Sequence, residues 1–281
     1  MNISYRRSLF SCLVLLLLAV LPGLLVRGDA AAPAAKPIEA LMITGGCCHD
    51  YTNQKMILSQ GISARANVHW TIFQEDGPVD HQLSIYNKPD WWKGYDIIVH
   101  NECYAGVADA AFVAKALEPV KAGIPAVVIH CTLHTFRSLP TNEWREFIGM
   151  TSTHHGAQLP IKVQVLKPND PIMTGFPANW VTGPEELYSI DETWPNANVL
   201  AQAYAYDANP VQDQRENPVI WTNMYEGKTR VFGSSMAHNN ATMQDPVYLS
   251  MMARGLLWAC GKLDDKGNPL PGYGPQPAAT K

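Results

Sequence analysis

No stretch of this 281-residue chain gathers basic residues: 21 Lys and Arg are scattered against 25 Asp and Glu, for a net charge of −4. A nucleic-acid surface needs a positive stripe to neutralise phosphates, so that partner class is excluded. The compact signatures of metal and nucleotide sites are missing too: there is no HExxH, no CxxC, no GxGxxG and no P-loop. Any such site must be built from residues far apart in the chain. Charged residues make up only 16% of the sequence and hydrophobic ones 47%, enough for a sizeable core without covalent staples. Cysteines are few and widely spaced, which excludes a disulfide framework. Buried free thiols are expected at Cys47, Cys48, Cys103, Cys131 and Cys260. One bridge is possible in an oxidising compartment, and the spacing does not choose its partners.

Only one apolar run approaches membrane-spanning length. Arg6 and Arg7 precede Leu9 to Val26, broken by Ser11, Cys12 and Pro22-Gly23, and a small-residue stretch from Gly28 to Ala35 follows. A charged start, an apolar middle and an alanine-rich exit read as a secretory signal peptide, cut between Ala30 and Ala35. An uncleaved anchor is the alternative, and Pro22-Gly23 and the alanines argue against it. The expectation is an exported protein, periplasmic or extracellular, with no stable membrane span after cleavage. Residues 1–35 are then leader and linker, 36–262 one large domain, and 263–281 a mobile tail.

Within the domain, apolar runs alternate with helical patterns. Strands are expected at Ile38 to Thr44, Val68 to Phe73, Tyr95 to His100 and Pro125 to His130. Helices are expected from Asn53 (as cap) to Ala66, with Met56, Ile57 and Ile62 inward, and from Asp109 to Ala122. Short strands apolar on both faces imply a parallel sheet covered on both sides. After a short helix from Asn142 to Ile148 the pattern changes. Ile161 to Leu166, Leu187 to Ile190, Val199 to Tyr204, Val219 to Thr222 and Thr229 to Gly233 read as strands, separated by turn residues such as Asn209-Pro210 and Glu226-Gly227. A last helix runs from Pro246 to Cys260. The front half is doubly wound α/β, and the back half extends its sheet with antiparallel strands.

In open α/β sheets, ligands bind beyond the carboxyl ends of the strands. Five of nine histidines fall on that edge: His49, His100, His130, His134 and His238. His154 and His155 lie in a loop of undetermined side. Candidate acids are Asp50, Glu102, Glu185, Glu186 and Asp191, since a carboxylate beside an imidazole orients it or completes a metal site. Strand and turn at Val127 to Cys131 invite comparison with the elbow that holds a nucleophile in several hydrolases. The glycines that relax such an elbow are missing, however, which favours His130 over Cys131 as the chemical group. Gly45-Gly46 reads as a tight turn that lets His49 reach the edge.

These residues resemble a known family. Gly45-Gly46 followed by His49-Asp50 resembles the opening GG-x-x-HD of ThuA-like (trehalose-utilisation) proteins. Val128-Ile129-His130, the segment from Trp144 to His155, and Glu185-Glu186-Leu187-Tyr188 resemble its later stretches. Pro218-Val219-Ile220-Trp221, Arg230-Val231-Phe232, Ala237-His238 and Arg254 to Ala259 resemble its ending. Four departures stand out: Ala237 for the glycine usual before the last histidine, Glu185 for Asp, Cys47-Cys48 at bulky positions, and Gly123 alone before the fourth strand. The resemblance implies a class I glutamine-amidotransferase-like fold: a flavodoxin-like three-layer α/β/α sandwich whose parallel sheet is extended by antiparallel strands. It also implies carbohydrate catabolism, on a sugar derivative such as a 3-keto-glycoside.

The site expected from both lines is His49, His130 and His238 as acid/base groups or ligands of a divalent metal, with Glu102 and Glu186 as their carboxylates. Its partner is a small-molecule carbohydrate. Trp180, Trp194 and Tyr188 offer rings for sugar stacking or for the core. Two further readings remain: a non-catalytic carbohydrate-binding or scaffold domain, and an amidase using Cys131.

Overall fold

The computed structural model describes Met1, residues 35–205 and residues 216–276. The expected leader, the Asn209-Pro210 turn and residues 277–281 lie outside the described residues. Among those described, no helix is long and apolar enough to cross a membrane.

The apolar runs pair as a mixed sheet. β1 (Ile38–Gly46) lies between β2 (Val68–Gln74) and β3 (Ile97–Cys103), and β4 (Ala126–Ile129) follows β3, all parallel. β9 (Thr229–Ser234) joins β4 in parallel and turns the sheet over to β8 (Asn217–Tyr225), β7 (Ala197–Ala205), β5 (Met150–Val165) and β6 (Val181–Thr193), all antiparallel. The order is β2-β1-β3-β4-β9-β8-β7-β5-β6. Its parallel half repeats the flavodoxin-like order, in which a ligand site belongs at the carboxyl edge.

Alternation along β1 shows why both faces are covered. Ala40 and Met42 enter one core with Leu58 and Ile62 of α1 (Tyr51–Ser63) and Leu256 of α6 (Pro246–Ala259). Leu41 and Ile43 enter the other. There they meet Phe112 of α2 (Ala110–Ala116), Val120 of α3 (Glu118–Lys121) and Trp144 of α4 (Glu143–Ile148). Successive side chains on a strand point to opposite faces, so a continuous apolar run fills two layers.

Several boundaries differ from the sequence expectation for local reasons. Asp50, not Asn53, caps α1: its carboxylate accepts the Asn53 amide N–H at 3.3 Å. The earlier start rotates the helix, so Tyr51, Gln54, Leu58 and Ile62 face inward while Met56 is exposed. The expected helix from Asp109 breaks at Leu117 into α2 and α3. Pro119 has no N–H to return to Lys115, and the Trp91 indole N–H donates to that carbonyl instead, at 3.3 Å. His154 and His155 are not in a loop but in the long β5, whose exposed middle hides the alternation. The body also runs beyond residue 262: Leu263 bridges Pro269, and the Tyr273 carbonyl accepts from the Asn67 N–H. Residues 263–276 are thus built onto the domain rather than trailing from it.

α6 lies on β9 through Gly255. A Cβ there would stand 2.1 Å from the Phe232 ring, and neither the helix nor the buried ring has room to yield. Gly255→Ala is expected to lower stability by about 1–3 kcal/mol through overpacking, read as an earlier midpoint in urea unfolding.

Candidate metal centre

Three turns bring imidazoles to the carboxyl edge of the parallel strands, and each relies on left-handed backbone. Gly45 and Gly46 close β1 at φ +127° and +105°, where a Cβ would collide with the backbone of Glu75 and Cys103. Cys48 follows at φ +80° and delivers His49. His130 itself has φ +43°, at the point where β4 passes into a 3₁₀ turn (His130–Leu133). Ala237, at φ +80°, precedes His238 after β9. Non-glycine residues adopt such values rarely and at about 1–3 kcal/mol each, and they gather where surrounding structure enforces them. The strained elbow is real, and His130 occupies it rather than Cys131.

The fourth member comes from the antiparallel half. β6 places Glu186 across from Gln158 of β5, and Tyr188 across from His155. One ligand atom from each of His49, His130, Glu186 and His238 can be chosen so that all four lie within 4.8 Å of one another. His49 packs edge-on to both other rings, with centroids 4.8 Å from His130 and 4.7 Å from His238. The Glu186 carboxylate lies 3.1 Å from His238 Nδ1 and 3.5 Å from Nε2 of both His130 and His155.

Backbone partners decide which nitrogens face inward. His130 Nδ1 donates to the Ser235 carbonyl at 2.7 Å, so in the neutral ring Nε2 carries the lone pair, with the Tyr188 hydroxyl 3.3 Å away. His49 Nδ1 lies 3.3 Å from the Cys47 carbonyl, and its buried Nε2 has no hydrogen-bond partner. His238 Nδ1, though close to Glu186, is also out of line for a hydrogen bond. Its Nε2 is 2.9 Å from the Gln158 amide. Turning that amide over would let Gln158 accept from Nε2–H and leave Nδ1 as a donor atom. Outer partners that set the tautomer are what metal-binding histidines require.

Electrostatics sort the groups. Burial, reinforced by His130 and His238, pushes the His49 imidazole down to about 3. Burial would raise the Glu186 carboxyl, but interactions with His130 and His238 and the nearby His155 hold it well below the usual carboxylate range. His238 is raised, chiefly by its contact with Glu186. Three imidazoles and one carboxylate are donors that suit a divalent transition ion such as zinc. The orphaned His49 Nε2 is the observation that fits an ion best: a buried polar atom without a partner is otherwise unfavourable.

Around the centre lies an open cleft of about 820 Å³, shared with His49 and His238 and lined by Asp50, Gln158, Pro184 and Asn240. That size is within the range of small-molecule sites. Glu185 supports it from below. Its buried carboxylate accepts the backbone N–H groups of Ala237, His238 and Asn239 at 3.0–3.1 Å, and Gln54 donates to the His238 carbonyl at 3.0 Å.

The other expected residues go elsewhere. Glu102 does not reach the cluster: it is fully buried, bound to His100 Nδ1 at 2.8 Å and to the Tyr86 hydroxyl at 3.0 Å, with His100 against Trp144 and Phe147. Pairing along β3 explains this, because Glu102 shares the face of His100 and Cys103 takes the face of the site. His134 stacks on Tyr188 at 4.0 Å. Asp50 is a helix cap, Asp191 accepts from Thr153, and Trp180 and Tyr188 are core residues. Trp194 donates to Thr151. Cys131 is joined to Cys103, and Cys47 to Cys48, so there are two bridges and one free thiol, Cys260, among the described residues. A bridged Cys131 offers no thiolate nucleophile. Sequence reasoning missed His155 as a member of the site, and a strand assignment for its segment would have found it.

Two predictions follow from these contacts. Glu185→Ala should lower stability by about 2–4 kcal/mol, because three buried N–H groups lose a charged acceptor; urea unfolding reads it. His49 and His134 are both pushed down to about 3 by burial. Below about pH 6.5 the unfolded chain takes up protons that these folded rings refuse, so stability rises with pH over this window. His238, raised, is protonated in both states below this value, so its contribution is lost only at higher pH and does not act in this window. For the metal-free protein the two rings together predict a loss of roughly 2–3 kcal/mol per pH unit from pH 6 to 4, and a flat or inverted profile would contradict the assignment.

The fold has solved counterparts. A ThuA-like protein from Parabacteroides merdae is 21% identical and superimposes with a TM-score of 0.65 over 85% of this chain and 97% of its own. Another from Bacteroides uniformis is 16% identical, with a TM-score of 0.61 over 86% and 99%. No curated protein sequence matches the chain. The family model for ThuA, described as trehalose utilisation, matches residues 39–259, from the first strand to the end of the last helix. The chain belongs to the ThuA family.

Proposed function

We propose that this protein is an exported enzyme of carbohydrate catabolism that acts on a sugar derivative, a 3-keto-glycoside best, by metal-assisted proton transfer in the cleft. The observation that carries the reading is the convergence of His49, His130, His238 and Glu186 beside a polar opening. A divalent ion held by these four residues would polarise a sugar carbonyl or hydroxyl and lower the barrier to loss of the adjacent proton.

The chain's own groups supply the rest. Glu186 stays ionised and balances the positive charge of the centre. His155, 38% exposed at 3.5 Å from Glu186, stands where a proton can pass between cleft and solvent. Asp50, Asn240 and Gln158 line the opening with acceptors and donors for hydroxyl groups. Asn240 Nδ2 already donates to the Asp50 carboxylate at 2.7 Å, which fixes both side chains. Export is supported by the two disulfides, which persist in oxidising compartments. Ala237 in place of the usual glycine is the departure that favours a non-catalytic domain. Ala237 adopts the left-handed conformation nonetheless, and His238 reaches the cluster.

The test is turnover of 3-keto-glycosides by the zinc-loaded protein and by His130→Ala and His238→Ala. Each variant should lose at least about 100-fold in kcat/KM, the scale of one acid–base or electrophilic contribution. Chelation should abolish wild-type turnover and zinc restore it. Unchanged rates in both variants would remove the proposal.

A further inference from the structure

Four of the five cysteines beyond residue 35 surround His49. Cys103 ends β3 and Cys131 lies in the turn after β4, 3% and 7% exposed. They form a small buried cluster with Tyr51, and Cys47 packs against it. The two sulfurs and one ring nitrogen of His49 lie within 4.8 Å of one another. A disulfide that only joined two strands would need no imidazole at that distance. His49 therefore belongs to two sets of donors, one of nitrogen and oxygen and one of sulfur.

We propose that Cys103 and Cys131, once reduced, form with His49 a second metal site for a soft or borderline ion such as zinc or cadmium, competing with the His130, Glu186 and His238 set for the same imidazole. Thiolate and imidazole are the preferred donors of such ions, and two sulfurs with one nitrogen is a known pattern for zinc. The site exists only after reduction, because a bridged sulfur has no charge to offer.

The chemistry balances with an external dithiol. Its two thiols become a disulfide, and two electrons and two protons pass to Cys103 and Cys131 as thiols. The ion then forms two metal–sulfur bonds and releases both protons to solvent. Cys48 is exposed and Cys47 half-buried, so the outer bridge is the accessible entry. Once it is reduced, the Cys47 thiolate attacks the inner bridge and expels one sulfur as thiolate. Cys48 then attacks Cys47 in the mixed disulfide, which frees the second sulfur and restores the outer bridge. By drawing His49 away from the other three residues the sulfur site would also stop turnover, a consequence that rests on the proposed function; the sulfur site itself does not.

The experiment titrates cadmium alone into the full chain, with and without a phosphine reductant, and follows sulfur-to-cadmium charge-transfer absorption. Cys47→Ser/Cys48→Ser, reduced with the phosphine while unfolded in urea and refolded under it, is the main probe: it removes the outer sulfurs as ligands, and unfolding opens the buried inner bridge that the outer pair otherwise reduces. This variant should show the band after reduction, saturating at one ion per chain with about two protons released, and no band before reduction. Adding Cys103→Ser/Cys131→Ser should reduce the band to background. If the fourfold variant does not fold, adding His49→Ala to the main probe should weaken cadmium binding at least about 10-fold. A folded, reduced Cys47→Ser/Cys48→Ser protein without the band overturns the proposal, as does a band indifferent to His49. Metal uptake by the unreduced chain without a sulfur band reports on the His130, Glu186 and His238 set alone, so failure of either reading is seen separately.

Discussion

Left-handed backbone at three turns is the constraint on which the centre depends. His49, His130 and His238 leave three different strands, and a strand that simply continued would carry each ring past the others. Positive φ at Cys48, His130 and Ala237 bends the chain back so that the rings meet. Glycine would tolerate this freely, yet none of the three is glycine, so neighbouring contacts must hold the bends. Glu185 grips the turn after β9 with three N–H groups, and the Ser235 carbonyl holds the His130 ring. At β1, Gly45 and Gly46 absorb the tighter approach to neighbouring backbone. Three of the six non-glycine residues with positive φ among the described residues thus stand at these turns, each held by its surroundings.

Most of the architecture was legible in the sequence. Runs such as Ala126 to Ile129 are apolar on both faces, which only a covered parallel sheet accommodates, and the turn residues behind Glu226-Gly227 marked a hairpin. Boundaries set by single contacts were not legible. Nothing in the pattern says that Asp50 caps the first helix, or that Trp91 takes up the Lys115 carbonyl freed by Pro119. The long β5 and β6 were seen only as fragments because residues 153–158 of β5 are exposed and polar.

The site divides along the same line. Topology alone places a histidine that follows a parallel strand at the carboxyl edge, so His49, His130 and His238 could be named in advance. Side-chain direction cannot be read that way. His100 and Glu102 sit at the same edge but turn into the aromatic layer, where they hydrogen-bond each other. Two sequence-adjacent acids, Glu185 and Glu186, took opposite duties: one neutralises backbone N–H groups and the other faces the rings. Pairing of the cysteines needed three-dimensional proximity, since Cys103 and Cys131 meet only because β3 and β4 are neighbours.

The hairpin of β5 and β6 carries Glu186, His155 and Gln158 as one piece, whereas the three cluster imidazoles belong to the parallel strands. The carboxylate of the centre and one wall of the cleft are thereby mechanically one object. Any change in how that ribbon pairs therefore alters the mouth of the cleft and the position of the carboxylate together.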